Sequence, residues 1–255
     1  VPAFGPGLTL LLLAVTPLVW SLPVALAMSE MAAAMPDEGG YVTWVTRAFG
    51  RFWGFQVGWW SWINSFVDVA VYPALFVAYA SYWRGEMSGI ERWLWALAFV
   101  GILTGLNLAG VRVVGRTAVV LGALALAPIA LLVIAGAGSV EQAPWRPFAA
   151  DGQSLLGGLG LGLAVMMWNY SGWDAPSTTL GETRSPGRAY RLALFIALPV
   201  IALAYVLPVA VALGSGAAAW TAWDTGTLPV VAAQVGGAWL GHAVAAGAVL
   251  STGGL

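Results

Sequence analysis

A carboxylate, an amide, a phenol and two helix-weakening residues fall within nine consecutive positions: Trp168, Asn169, Tyr170, Ser171, Gly172, Trp173, Asp174, Ala175 and Pro176. They lie in an apolar run from Leu155 to Leu180, long enough to cross a bilayer, for which a helix needs about 20 mostly apolar residues. Pro176 has no N–H to give to the carbonyl of Gly172, and its ring crowds that carbonyl, while Gly172 has no side chain to hold a helical conformation. Both defects fall on one peptide, so the spacing predicts an unwound point near Gly172. Backbone left unpaired at membrane depth is tolerated only where protein or a watery cavity satisfies it, which makes the break a candidate ligand site.

A second set of polar residues recurs at helical spacing. Ser61, Asn64, Ser65, Asp68 and Tyr72 form one stripe, with Ile63, Phe66, Val67, Ala70, Val71, Ala74 and Val77 filling the remainder. In a membrane the polar face must look into the protein and the apolar face at lipid. Asp68 lies near the middle of its span, where an Asp costs about 2.5–3.5 kcal/mol on insertion scales. A cost of that size marks an ion or substrate pathway or a paired charge. A protonated Asp68 bonded to a neighbouring helix is the structural alternative.

The elements that must position these residues follow from composition. The 255-residue chain is 60% hydrophobic and only 8% charged, with a mean hydropathy of +0.84, whereas a soluble domain carries roughly 25% charged residues. The chain is therefore expected to be a membrane protein, with the lipid bilayer as its solvent. Charges are missing from 1–29, 93–111, 117–140, 192–223 and 225–255. A net charge of −1 argues against a nucleic-acid partner. The absence of Cys removes thiol catalysis and Cys-based metal sites. His242 stands alone and reads as a packed or bonded side chain rather than a proton relay. No cofactor is implied. An intramembrane enzyme would need a His pair, a metal cluster or a Ser with a nearby base, and none is apparent in the sequence.

Seven apolar segments emerge, at 8–33, 53–83, 92–110, 115–137, 155–181, 190–213 and 229–252. Numbering the loops alternately puts Arg47, Arg51, Arg112, Arg116, Arg184, Arg188 and Arg191 on one side and Arg84, Arg92 and Arg146 on the other. The positive-inside bias makes the first side cytoplasmic. Between segments one and two, 41–49 is too short and polar to span and is expected as a surface helix with Trp44 and Phe49 at headgroup level. Gly157, Gly158, Gly160 and Gly162 open segment five and are expected to let neighbouring helices approach closely.

Four stretches give the chain a family likeness: Ser29-Glu30 through Pro36-Asp37-Glu38-Gly39-Gly40-Tyr41; Phe52-Trp53-Gly54-Phe55-Gln56 with Gly58-Trp59; Asp68 followed by Tyr72-Pro73; and Trp168 to Asp174 continuing to Gly181-Glu182 and Pro186. With these the chain resembles the amino acid, polyamine and organocation permease superfamily over nearly its whole length. The second and third stretches, with an Asp directly after the broken-helix Trp, look most like the polyamine-type branch. The resemblance implies an all-α polytopic membrane protein, part of a LeuT-like fold of two inverted repeats of five helices. The seven segments would then be helices two through seven and the start of eight, within one transmembrane transporter domain covering 1–255. The family's glycine-rich first helix has no counterpart, so a partial chain is expected.

Carried over residue by residue, the resemblance implies that Asn169, Tyr170, Ser171, Gly172, Trp173 and Asp174 line a substrate cavity from the broken helix, and that Asn64, Asp68 and Tyr72 face it from the third helix. Two carboxylates in a low-dielectric cavity repel one another unless a cation or protons intervene, which favours an organic cation with one or two ammonium groups. Trp173 and Tyr170 could close over such a guest by cation–π contact, and either carboxylate could carry a coupling proton. The expected function is a secondary transporter in the cell membrane, moving polyamines or amino acids by alternating access with proton coupling or exchange. An amino acid permease without polyamine activity, a non-functional partial transporter and a channel are the competing readings. A channel needs a continuous polar stripe along several spans, and only segment two has one.

Overall fold

Prolines, glycines and capping side chains set where the helices of this chain begin and end. The computed structural model describes residues 1–109, 111–150, 152, 155–183 and 185–253. Arg184, used above for orientation, lies outside the described residues, as do the side chains of Arg112, Glu182 and Pro186. Among the described residues every regular element is helical. The chain is all-α.

Five stretches are long and apolar enough to cross a membrane: Pro6–Ala34, Arg51–Arg84, Gly89–Leu108, Gly115–Ser139 and Gly187–Gly214. They correspond to the first, second, third, fourth and sixth predicted segments. The first comprises α1 (Pro6–Thr16), a π-helical turn (Pro17–Ser21) and α2 (Leu22–Ala34). Pro17 cannot donate to the carbonyl of Leu13, and the ladder widens here, so that Leu22 N–H donates to Pro17 O, five residues back. After α3 (Gly40–Phe49) come α4 (Arg51–Arg84), α5 (Gly89–Leu108) and α6 (Val111–Gly136).

The fifth and seventh segments are each split. The fifth consists of α7 (Leu155–Asn169) and a 3₁₀ helix (Ala175–Glu182), a break the sequence predicts. After α8 (Pro186–Gly214), the seventh consists of α9 (Thr227–Gly236) and α10 (Ala238–Gly253), a break it does not predict. The cause is the Gly236-Gly237 pair: Gly237 adopts φ +87°, a left-handed conformation open to glycine and strained for other residues. Gly160, expected to receive a neighbouring helix, has open space where a Cβ would be. A close approach does occur at Gly187 of α8, where a Cβ would lie 2.9 Å from Ala33 Cα of α2.

Two compact units divide the chain. The first contains Val1–Gly7, Val67–Ala150 and Leu207–Leu255. In it Leu132 of α6 packs with Ala232, Leu240 and Val244 of α9 and α10. At Gly247 of α10 a Cβ would come within 3.1 Å of the Pro128 ring and 3.2 Å of the Ala125 carbonyl of α6, so the helices meet across a bare backbone. His242 is bonded, as its isolation suggests: the Trp83 indole N–H donates to its Nδ1 at 2.9 Å, with the two rings stacked.

The second unit contains Leu8–Phe66 and Asp151–Val206. Its core joins Ala25, Ala32, Trp44, Trp173, Leu180, Tyr190 and Leu194. The helix expected at 41–49 is present as α3, but Trp44 is not exposed on its surface. It is buried, and its indole N–H donates to the Met35 carbonyl at 3.0 Å. Phe49 is exposed, as are Phe55, Trp59, Trp62 and Phe66 on α4, whose rings touch in sequence up one face.

Helix α5 starts three residues before its predicted segment because Ser88 and Glu91 form a capping box. The Ser88 hydroxyl accepts from the Glu91 N–H at 3.3 Å and the Glu91 carboxylate accepts from the Ser88 N–H at 2.9 Å. Ser88→Ala is expected to cost about 1 kcal/mol, read as a lower thermal unfolding midpoint in detergent; an unchanged midpoint would show that the box carries no stability.

Candidate functional site

The break in the fifth segment is built from backbone groups and the side chains that satisfy them. The last α-helical bond runs from Tyr170 N–H to Met166 O at 3.0 Å, and Ser171 N–H then turns back to Trp168 O at 3.2 Å. Gly172 has φ +96°, which reverses the chain at little steric cost only because it lacks a Cβ. Pro176 does not itself make the break. It sits in the first turn of the 3₁₀ helix, where its missing N–H is not needed, and the Gly172 carbonyl is taken by Ala175 N–H at 3.3 Å.

Two carbonyls freed at the break receive side-chain donors. Tyr170 O accepts the Ser21 hydroxyl at 3.0 Å and the Trp173 indole N–H at 2.7 Å. Trp173 O accepts the Tyr190 hydroxyl. The Tyr170 hydroxyl in turn donates at 2.9 Å to Leu13 O, the carbonyl four residues before Pro17 and so deprived of its usual helical donor. The π turn of the first span and the break of the fifth thus supply each other's missing donors, Ser21 to Tyr170 and Tyr170 to Leu13. The hydroxyl of Thr16, beside them at the start of the π turn, is buried and has no partner among the described residues.

The lower half of the break is fixed to the loop ahead of α3. Gly39 N–H donates to Thr178 O at 3.2 Å and Tyr41 N–H to Ser177 Oγ at 3.3 Å. A Cβ on Gly40 would fall 2.2 Å from Ser177 Oγ. The Pro36-Asp37-Glu38-Gly39-Gly40 stretch therefore does more than stop a helix: its glycines let backbone meet backbone at the 3₁₀ segment. Asp37 accepts from Arg47 at 2.5 Å at the exposed edge of this contact. Ser177, fully buried, has no hydrophobic periodicity or charge to mark it in the sequence.

The expected site residues divide into two groups. Tyr170 and Trp173 are buried, with their polar atoms committed to backbone, and the Tyr170 ring meets Tyr205 edge-on at 5.3 Å. They hold the break from within the core instead of closing over an open cavity. Asn169 and Ser171 are exposed and bond locally to Val165 O and Trp168 O. Asp174 is half-buried and its carboxylate has no hydrogen bond or ion pair among the described residues. Asn64, in the same unit, is exposed. Asp68 and Tyr72 belong to the first unit and are half-buried, and Asp68 likewise has no hydrogen bond or ion pair among the described residues.

The sequence profile of the amino acid permease family matches residues 3–255. The chain belongs to the amino acid permease family. It is 36% identical, over all of its length and 51% of the relative's, to a probable polyamine transporter of Arabidopsis thaliana. The polyamine transporter RMV1 of Arabidopsis thaliana is 34% identical over the whole chain and 52% of its own length. The polyamine transporter PUT1 of Oryza sativa subsp. japonica is 34% identical over the whole chain and 48% of its own. The permease chain thus spans about half the length of the curated relatives it matches. Family membership and the five stretches long and apolar enough to cross a membrane make it a multi-pass membrane protein.

Tyr170→Phe leaves the Leu13 carbonyl buried without its donor and is expected to destabilise by about 1–3 kcal/mol. Ser21→Ala should cost only about 0.5–1.5 kcal/mol, because the Trp173 indole still serves Tyr170 O. Thermal unfolding of both variants in detergent checks the order, and a Ser21 variant as damaged as the Tyr170 variant would show that Trp173 does not compensate.

Proposed function

We propose that this permease is a secondary transporter of the cell membrane that moves organic cations of the polyamine class, or amino acids, by alternating access with proton coupling or exchange. The whole chain contributes to one transporter domain. The observation that carries the reading is the free carboxylate of Asp174 beside a backbone break in an otherwise apolar span. A carboxylate at such depth costs about 2.5–3.5 kcal/mol on insertion scales. An ammonium group docked against it offsets that cost with a charge-assisted hydrogen bond.

Each residue then has a role suited to its surroundings. Asp174 and Asp68 are the cation-binding carboxylates, and either carries a coupling proton when no cation is bound. Asn64, Tyr72, Asn169 and Ser171 offer neutral polar atoms, and Gly172 opens the backbone. Tyr170 and Trp173 are positioning residues: Trp173 occupies the Tyr170 carbonyl and the Tyr170 hydroxyl ties the break to Leu13 O of the first span, so that Asp174 is the group left for a guest. The polyamine transporters among the relatives support this choice of substrate class.

Uptake of labelled putrescine into proteoliposomes carrying the protein tests the assignment. Asp174→Asn and Asp68→Asn are each expected to reduce uptake at least tenfold, about 1.4 kcal/mol of lost binding, and putrescine is expected to outcompete a neutral amino acid. Uptake indifferent to both substitutions would overturn the cation site and leave an amino acid permease without polyamine activity as the reading.

A further inference from the structure

Two side chains of opposite sign line one cavity of the first unit without pairing. The cavity, about 570 Å³, is walled by Ala74 and Val77 of α4, Arg92 and Trp93 of α5, and Asp224 in the loop before α9. Its size lies within the roughly 300–1,000 Å³ usual for small-molecule sites. Arg92 Nε donates to the Met87 carbonyl at 3.2 Å, which orients the guanidinium, and its terminal nitrogens have no partner among the described residues. Asp224 Oδ1 accepts from Gly226 N–H at 2.9 Å and from the Thr227 hydroxyl at 3.3 Å, whereas Oδ2 has no partner among the described residues. The nearest acid in sequence to Arg92, Glu91, is already paired with Arg84 at 3.4 Å.

A guanidinium and a carboxylate, each oriented by local hydrogen bonds, each with free valence, both exposed and both lining one largely apolar space, match a molecule that carries both complementary charges. We propose that this cavity binds a zwitterionic amino acid: its carboxylate on the forked guanidinium of Arg92, its ammonium on Asp224 Oδ2, and its alkyl chain along Ala74 and Val77. A guanidinium presents paired N–H donors that suit a carboxylate. The same group repels a diamine, so this cavity selects against the polyamine-class guests proposed for Asp174. The site stands on different residues from the break and does not depend on that reading.

Isothermal titration of the protein in lipid nanodiscs with L-leucine, leucine methyl ester and 4-methylpentanoate reads the two charges separately. Leucine is expected to bind, and the ester, which lacks the carboxylate, and the acid, which lacks the ammonium, are each expected to bind at least tenfold more weakly. Arg92→Gln keeps a donor for Met87 O and Asp224→Asn keeps an acceptor for Gly226, and each is expected to weaken leucine at least tenfold. The proposal is overturned if leucine gives no binding heat, if either analogue binds as well as leucine, or if both variants bind leucine as tightly as the unaltered protein. The analogue series uses the unaltered protein and can overturn the proposal even where a variant fails to fold, and the two variants place the binding at this cavity.

Discussion

In hydrocarbon no water stands ready to bond an N–H or C=O that a helix has released, so every irregularity in a spanning segment must be matched by a donor or acceptor from elsewhere in the protein. At residues 170–174 that requirement is met almost wholly by side chains that look, from their chemistry alone, like ligand-binding groups. The Tyr170 hydroxyl, the Trp173 indole, the Tyr190 hydroxyl and Ser21 are all engaged with backbone carbonyls. What remains uncommitted is Asp174. The polar residues of the break thus include those that make an open backbone tolerable and one carboxylate without a partner among the described residues.

The two broken segments of the chain solve the same problem differently. In the seventh segment Gly237 redirects the helix by conformation alone, and the flanking Leu240 and Val244 return to an apolar core with Leu132. No charged side chain sits at that turn, from Gly236 to Ala238. The fifth segment couples its turn to a carboxylate and to the π turn of the first span. A break is therefore not in itself a site, and the proposed cation site rests on the free acid beside this one.

Much of this could be read from the sequence wherever the cause is local. The apolar lengths located the spans, and Gly172 with its polar neighbours located the break, because a missing Cβ acts within its own peptide unit. Pro176 misled because the same missing N–H that ends a helix also suits the first turn of a new one, and which applies depends on where the preceding turn closes. The Gly236-Gly237 break is not legible in the sequence because one such pair in an apolar run is compatible with a continuous helix until a left-handed φ is required. Trp44 was assigned to the interface by its type, but Met35 O and the core of the second unit claim it. The pairing of Ser21 with Tyr170 and of Ser177 with Tyr41 joins residues 149 and 136 positions apart, and no local pattern can announce such a partner.

That separation bears on how the protein is made. Leu13 and its donor Tyr170 lie 157 residues apart, and at about 5–20 residues per second a ribosome needs roughly 8–30 s to deliver the second after the first. During that interval the nascent first span carries an unserved carbonyl next to Pro17. It must wait inside the insertion machinery, or tilt that carbonyl toward headgroups, until the fifth span arrives. The polar staple between distant spans thus makes biogenesis of the bundle a matter of timing as well as of hydrophobicity.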